Sequence, residues 1–173
     1  MILYRVQVRR NDKKYEASFY SSFDYMRHVV EFYELYSIRH PARVKELKRV
    51  VYLATDSPSV ISQFKRNHPN YLFVSNMKSA MNANKPTAKR NTLKAFEGFL
   101  LDVYFLSRAE FQVCTFSSNV CRLVYALAQA TSSRRTYDRS KLAVSLDTPY
   151  FFVPFIKFAR KIAILDHRPS KHE

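Results

Sequence analysis

A single glycine, Gly98, occurs in this chain of 173 residues. Average usage of about 7% would give roughly 12 glycines. The P-loop and the dinucleotide fingerprint both need several glycines, because only a backbone without side chains can come close to the phosphates. Both of these nucleotide sites are therefore excluded. An anionic ligand must instead be held by side chains or by the N-terminus of a helix.

The charge balance favours an anionic partner. The chain has 29 lysines and arginines against 14 aspartates and glutamates, which gives a formal net charge of +15. Nucleic acid, a membrane surface and phosphorylated small molecules all fit such a charge, and the charge does not choose among them. No recognised nucleic-acid-binding motif accompanies it. Acid-free stretches such as residues 76–94 are equally compatible with a solvated surface.

Strand-like and helix-like segments alternate along the chain. β-Branched and aromatic runs predict strands at residues 3–8, 50–54, 71–74 and 111–115. Periodic apolar positions and start signals predict helices at residues 22–38, 58–67 and 92–107 and after the serine pair 117–118. This alternation predicts an α/β fold, a Rossmann-like open parallel sheet with helices on both faces. Residues 76–90 are polar and basic and are predicted to form a long loop.

Polar side chains follow three of the predicted strands, where ligands bind in an open α/β sheet. Arg9 and Arg10 suit a pyrophosphate, because guanidinium groups bind phosphate in a fork, although a solvated basic turn is the alternative. Asp56 is placed either for a ribose or base contact or as an ordinary helix-start acid. Ser118 opens a helix whose first N–H groups form an anion site, and ordinary capping also explains a serine there. Glu16 is the one carboxylate placed as a general base beside the arginines, and a solvated glutamate is its alternative.

The cysteines and histidines give no sign of a metal centre or a disulfide framework. Cys114 and Cys121 are predicted to be small buried apolar groups. The five histidines are scattered without ligand spacing, so no metal site is expected. We expect no signal peptide, because Met1 leads directly into a strand-like segment, and no apolar run approaches the ~20 residues that a membrane span needs.

A resemblance to a known family is carried by two stretches, VYLATDSPSVISQFKRNHPNYLFVS and FEGFLLDVYFLSRAEFQVCTFSSNVCRLVYAL. Both closely resemble the GDP-fucose-binding half of the α-1,6-fucosyltransferases (glycosyltransferase family 23), which add core fucose to N-glycans. The segment VQVRRNDKKYEASFYSSFDYM resembles that family's first motif, a His-x-Arg-Arg-x-Asp-Lys block followed by a Glu. The resemblance covers about residues 4–131 and continues more weakly toward the end. The CTFSSxVCR and RRxDK blocks together make it specific.

The resemblance implies the nucleotide-sugar-binding half of a GT-B-like glycosyltransferase. Residues 1–131 would form a Rossmann-like GDP-fucose-binding subdomain, and residues 132–173 a weakly similar extension that stops before the family's SH3-like domain. The implied reaction transfers fucose from GDP-fucose to the 6-hydroxyl of the innermost GlcNAc of N-glycans on glycoproteins. No metal or other cofactor and no nucleic acid are expected. Family members are Golgi type II membrane proteins, and we expect this chain to lack the family's anchor and N-terminal catalytic half.

The resemblance also assigns roles to individual residues. Glu16 matches the catalytic base that takes the proton from the acceptor hydroxyl, and Asp12 and Lys13 match the charged pair near it. Asp102 matches the carboxylate that reads guanine, and Ser118 matches a phosphate-contacting serine. The full set of matched donor-site residues is Arg9, Arg10, Tyr25, Asp56, Arg90, Asp102 and Ser118. The two adjacent arginines of this set match those that hold the GDP pyrophosphate.

Three departures from the family's pattern support an alternative. Gln7 stands where the family has His, and Ser57 replaces the second Asp of a pair. The loop before Glu16 is one residue shorter than the family's and lacks its glycine. A shift of ~1 Å at a catalytic group costs about 100-fold in rate. The alternative is therefore a truncated or diverged homologue that is not catalytic and has a degraded nucleotide-sugar site.

Overall fold

A computed structural model describes residues 3–11, 19–86, 92–108, 111–130 and 143–148 of the chain. The strands in these ranges are β1 (Leu3–Val8), β2 (Val50–Thr55), β3 (Leu72–Val74), β4 (Phe111–Cys114) and β5 (Ala143–Ser145). They form one sheet in the order β3-β2-β1-β4-β5, and every neighbouring pair is parallel. The prediction of an open parallel α/β sheet is confirmed.

Helices connect the strands. Those in the described ranges are α1 (Ser22–Arg39), α2 (Pro58–Asn67), α3 (Met77–Ala83), α4 (Leu93–Arg108) and α5 (Asn119–Ala130), with a short 3₁₀ helix at Pro41–Glu46. A capping box starts α1: the Ser21 hydroxyl accepts a hydrogen bond from the Asp24 N–H, and the Asp24 carboxylate accepts one from the Ser21 N–H. Pro58 occupies the first turn of α2, where its missing N–H costs nothing. None of these described helices is both long and apolar enough to cross a membrane.

Both faces of the sheet are buried, which explains why β2 is apolar along its whole length. Val51 and Leu53 point to one face and pack in a core shared with α1 and α2. Tyr52 and Ala54 point to the other face and pack against Val103, together with further residues of α4 and α5. A strand that is covered on both faces has no solvent side on which polar residues are needed.

Strand β1 lies at the centre of the sheet. Val6 is in register with Leu53 of β2 on one side and with Val113 of β4 on the other. The chain runs outward from β1 through β2 to β3 and then returns to place β4 on the opposite side of β1. The direction of winding therefore reverses between β1 and β4, and a crevice opens at the carboxyl ends of strands where this occurs.

The predicted loop at residues 76–90 is wrong for its first part, because Met77–Ala83 form α3. The Asn76 side chain caps this helix by accepting a hydrogen bond from the Ser79 N–H at 3.1 Å. Ser79 and Ala80 are buried, so packing stabilises a helix that the polar sequence does not indicate. Residues 87–91 lie outside the described residues.

Strand β5 was not predicted. It pairs with β4, with Val144 opposite Val113, and so adds a strand from beyond residue 131 to the sheet. The domain division at residue 131 stays a prediction, because most of the segment 132–173 lies outside the described residues.

The two cysteines lie at the end of β4 and in the first turn of α5. Cys114 and Cys121 are both fully buried beside Phe116, which confirms the prediction of small buried groups. The structure joins them in a disulfide, which was not predicted. The link connects β4 directly to the helix that follows it.

We expect Leu53→Ala to lower the free energy of unfolding by about 3 kcal/mol, because it removes a fully buried side chain from the centre of the sheet. Urea unfolding followed by circular dichroism measures the loss. Leu100→Ala on α4 is the control, since that side chain is 47% exposed and its loss is expected to cost under about 0.5 kcal/mol. Equal losses for the two variants would contradict the burial of β2 on both faces.

Candidate functional site

A cavity of about 600 Å³ opens at the carboxyl ends of β1 and β2, a size typical of small-molecule sites. Its polar lining includes Gln7, Arg9, Asp56 and Asp102. Apolar side chains of α4 and α5 also line the cavity; they are Leu93, Phe96, Phe99, Leu106 and Val120. Three of the predicted donor-site residues, Arg9, Asp56 and Asp102, are thus brought to one cavity from three different elements of the chain.

The Asp56 carboxylate holds the loop that follows β1. One oxygen accepts a hydrogen bond from the Arg10 N–H at 2.8 Å, and the other accepts one from the Asn11 N–H at 3.2 Å. The Asn11 side-chain amide donates in return to the Asp56 carbonyl at 2.6 Å. Because Asp56 directly follows β2, these three bonds fasten together the ends of two neighbouring strands.

The two arginines have different surroundings. Arg9 lines the cavity. The Arg10 guanidinium donates to the Tyr20 carbonyl at 2.5 Å and lies over the Phe19 ring, 4.8 Å from its centroid. Arg10 therefore connects the loop after β1 to the segment that leads into α1, and its remaining N–H groups retain donor capacity.

Ser118 immediately precedes α5, where a helix-opening residue was predicted. Its carbonyl accepts the hydrogen bond from the Arg122 N–H that begins the helix. Its side chain is fully buried, and its hydroxyl accepts a long hydrogen bond of 3.4 Å from the Gln7 amide. This contact crosses the crevice between β1 and β4. Gln7, which departs from the family's pattern, therefore contacts the predicted site residue Ser118 directly.

Asp102 of α4 is buried at the cavity wall. One carboxylate oxygen accepts a hydrogen bond from the Tyr52 hydroxyl at 2.6 Å, and the other accepts one from the Ser79 hydroxyl at 2.6 Å. Burial raises the pKa of Asp102 above its ordinary value, and the hydrogen bonds from Ser79 and Tyr52 oppose that rise. Burial also raises the pKa of Tyr52, and the bond to Asp102 raises it further, so the phenol keeps its proton and acts as the donor.

Tyr25 lies in the core rather than among the residues that line the cavity. It is 2% exposed, and its ring centroid is 6.2 Å from that of Phe64. Burial raises the pKa of Tyr25, and the nearby Arg10 guanidinium partly offsets the effect. The nucleotide contact of Tyr25 stays a prediction. Four further predicted site residues lie outside the described residues; they are Asp12, Lys13, Glu16 and Arg90.

Asp147, which was not predicted as a site residue, holds the loop between β4 and α5 by hydrogen bonds. Its carboxylate accepts hydrogen bonds from the Ser117 N–H and hydroxyl, from the Ser145 hydroxyl and from the Thr148 N–H. An acid that follows a strand was the signal that identified Asp56. The same signal would identify Asp147 once Ala143–Ser145 is recognised as a strand.

Within the described residues, no group of three or more His, Cys, Asp or Glu side chains could hold a metal ion. The charged groups of the cavity are instead Arg9, Asp56 and Asp102. Asp56 and Asp102 accept hydrogen bonds from other residues of the protein. The arrangement suits a polar ligand that offers an anionic group to the arginine and hydrogen-bond donors to the buried carboxylate.

Comparison with known proteins agrees with the resemblance seen in the sequence. The family described as alpha-(1,6)-fucosyltransferase N- and catalytic domains matches residues 3–151. An alpha-(1,6)-fucosyltransferase of Drosophila melanogaster is 32% identical over 169 residues, which cover 97% of this chain and 26% of the fly protein. One of Caenorhabditis elegans is 35% identical over 149 residues, which cover 85% of this chain and 25% of the worm protein. The chain thus spans about a quarter of the length of these relatives.

We expect Asp56→Ala to cost about 1–3 kcal/mol of stability, because it leaves two backbone N–H groups without their acceptor. Amide hydrogen exchange of Arg10 and Asn11 should accelerate selectively. Ser57→Ala is the control, since that hydroxyl contacts only the Ser59 hydroxyl at the surface. Unchanged exchange at Arg10 and Asn11 in the Asp56 variant would show that the carboxylate does not hold this loop.

The raised pKa of Asp102 predicts a pH-dependent stability. The carboxyl of the unfolded chain loses its proton near pH 3.8, whereas the folded chain holds it to higher pH. The folded state therefore binds more protons above pH 3.8, and the free energy of unfolding falls as the pH rises through this window. Asp102→Asn lacks the titrating group, so its stability relative to the wild type should increase as the pH rises above 3.8. Urea unfolding at each pH measures this difference, and a constant difference would refute the raised pKa.

Proposed function

The chain belongs to the alpha-(1,6)-fucosyltransferase family, and from this we propose that it binds GDP-fucose in the cavity at the carboxyl ends of β1 and β2. The observation that carries the proposal is the convergence of Arg9 and Asp102 on this one cavity. These are the residues whose counterparts in the family hold the pyrophosphate and read guanine. They are 93 positions apart in the chain, and the fold brings them together.

The positions of the described residues support an assignment of the guanine and the diphosphate of GDP-fucose to different residues. Guanine would lie against the apolar wall of α4, with its donor edge toward Asp102. The diphosphate would lie toward Arg9 and Arg10, near the N-terminus of α5, which begins after Ser118. Asp56 would act by holding the loop that carries the two arginines, because both of its carboxylate oxygens bind backbone N–H groups there.

The proposed reaction is an inverting transfer of fucose to the 6-hydroxyl of the innermost GlcNAc of an N-glycan. Glu16 would take the proton from this hydroxyl as its oxygen attacks C1 of fucose and GDP leaves, with Asp12 and Lys13 beside it. The negative charge on the departing GDP would be stabilised by Arg9, Arg10 and the first N–H groups of α5. This assignment requires no metal or other cofactor, because the positive charge comes from side chains and a helix end.

The partners in this proposal are GDP-fucose and the N-glycan of a glycoprotein. Such acceptors are processed in the Golgi, which is the location that family membership supports. Arg90 would complete the proposed donor site as a nucleotide contact, as its match to the family implies. Tyr25 has the same match, but its side chain is buried in the core, so a nucleotide contact would require it to move. The non-catalytic alternative remains distinguishable by experiment, because a homologue with a degraded site would bind GDP weakly or transfer no fucose.

We expect GDP to stabilise the chain by about 2.7 kcal/mol at a concentration of about 100 times its Kd. Arg9→Gln should weaken GDP binding about 10–100-fold, since it removes a charged donor from the cavity. Arg43→Gln, at an exposed position in the 3₁₀ helix, is the control and should bind GDP like the wild type. Thermal shift and calorimetry measure both effects.

A folded chain that GDP does not stabilise would overturn the nucleotide site. Incubation of the same preparation with GDP-fucose and a GlcNAc-terminated N-glycan tests the chemistry. Transfer of fucose would support the enzyme, whereas GDP binding without transfer would favour the non-catalytic homologue.

A further inference from the structure

We propose that Tyr52 and Ser79 are positioning residues, which fix the Asp102 carboxylate in the orientation that accepts two hydrogen bonds from a guanine base. The inference rests on the proposed function, because it concerns the same cavity. It adds two residues from other elements, β2 and α3, to the determinants of base specificity. It also gives the single glycine of the chain a role in that specificity.

The hydrogen bonds from Tyr52 and Ser79 use about half of the acceptor capacity of the Asp102 carboxylate. Each carboxylate oxygen can accept about two hydrogen bonds. Tyr52 occupies one position on the first oxygen and Ser79 one position on the second, both at 2.6 Å. One acceptor position therefore remains on each oxygen of Asp102, and the residue lines the cavity. Two neighbouring carboxylate oxygens that each retain acceptor capacity match a ligand that presents two neighbouring donors.

A guanine edge presents two such donors, the N1–H and the N2 amino group. Adenine places an acceptor where guanine has N1–H, and hypoxanthine lacks the N2 amino group. The apolar side chains Phe96, Phe99 and Leu106 line the same cavity and suit the faces of a purine. A site that is built to receive donors rejects analogues that lack them, because its buried acceptors are then left unpaired.

Orientation matters because an aspartate side chain rotates freely at its last torsion. This torsion has a broad, roughly two-fold preference and does not fix the carboxylate plane by itself. Donors on both oxygens, one from β2 and one from α3, remove that freedom before a ligand binds. The entropy of ordering the side chain is then not lost on binding, which increases affinity for the matching base.

Gly98 permits the approach of Ser79. It lies one helical turn before Asp102 on α4, and a Cβ added there would be only 3.2 Å from the Ser79 Cβ and 3.4 Å from its Cα. Asn76, which caps α3 at Ser79, also donates to the Gly98 carbonyl at 3.4 Å. The absence of a side chain at Gly98 therefore lets α3 lie close enough to α4 for Ser79 to reach the carboxylate.

The test compares GDP with inosine diphosphate, which differs only in the missing N2 amino group, using calorimetry on the 173-residue chain. We expect the wild type to prefer GDP by about 10-fold or more, since one hydrogen bond to a charged acceptor is lost. The double variant Tyr52→Phe with Ser79→Ala should lose most of this preference, mainly through weaker GDP binding. Tyr52→Phe keeps the ring that packs against Phe105, so it removes only the hydroxyl.

Matched controls separate positioning from general stability. The Tyr33 hydroxyl donates to the Val50 carbonyl, and the Ser37 hydroxyl donates to the Tyr33 carbonyl, both away from Asp102. The double variant Tyr33→Phe with Ser37→Ala removes the same chemical groups and should leave the GDP-to-IDP ratio unchanged, even if the chain melts earlier. Gly98→Ala keeps both hydroxyls but displaces Ser79, and should lower the ratio several-fold.

The possible outcomes distinguish a failure of the proposed function from a failure of the positioning role. A wild type that binds neither nucleotide overturns the proposed function and this inference with it. A wild type that prefers GDP, together with a Tyr52/Ser79 double variant of the same preference, overturns the positioning role alone. If the double variant does not fold, Gly98→Ala and the single Ser79→Ala variant decide, and an unchanged ratio in both refutes the proposal.

Discussion

The pairing of β1 on both of its sides is the constraint on which the rest of the structure depends. Val6 and its neighbours are hydrogen-bonded to β2 and β4 at once, so the register of this strand is fixed twice. A shift by one residue would exchange the two faces of the strand and send Val8 where Gln7 now lies. The register of β1 therefore decides that Gln7 reaches the cavity and that Arg9 emerges beside the end of β2.

Two carboxylates near the cavity act in different ways because their partners differ. Asp56 accepts hydrogen bonds from backbone N–H groups. A change of side chain at the donor residues does not replace these groups. Asp102 accepts hydrogen bonds from two hydroxyl groups and is among the residues that line the cavity. The first carboxylate holds a loop, whereas the second is the one that we propose receives the ligand.

Much of the fold could be predicted from local patterns, and most of the site could not. The long strands are continuous apolar runs, and the helix starts carry caps, so both leave signals in the sequence. Two elements leave no such signal. Met77–Ala83 is a polar helix that packing stabilises, and Ala143–Ser145 is a short strand at the sheet edge. Tyr52 reads as part of an apolar strand, and its hydroxyl finds Asp102 only through the fold, 50 positions away. Family resemblance identified Asp102 itself.

None of the described residues has a positive φ, and the single glycine lies inside α4. Glycine loses more backbone freedom on folding than any other residue, so a chain with one glycine has an unfolded ensemble of fewer conformations. The loops at residues 9–11 and 115–118, which follow β1 and β4, contain none. Their backbone entropy is lost when the chain folds, and a ligand that arrives later meets loops that are already confined. Scarcity of glycine thus reduces the backbone entropy that the chain loses when these loops become ordered.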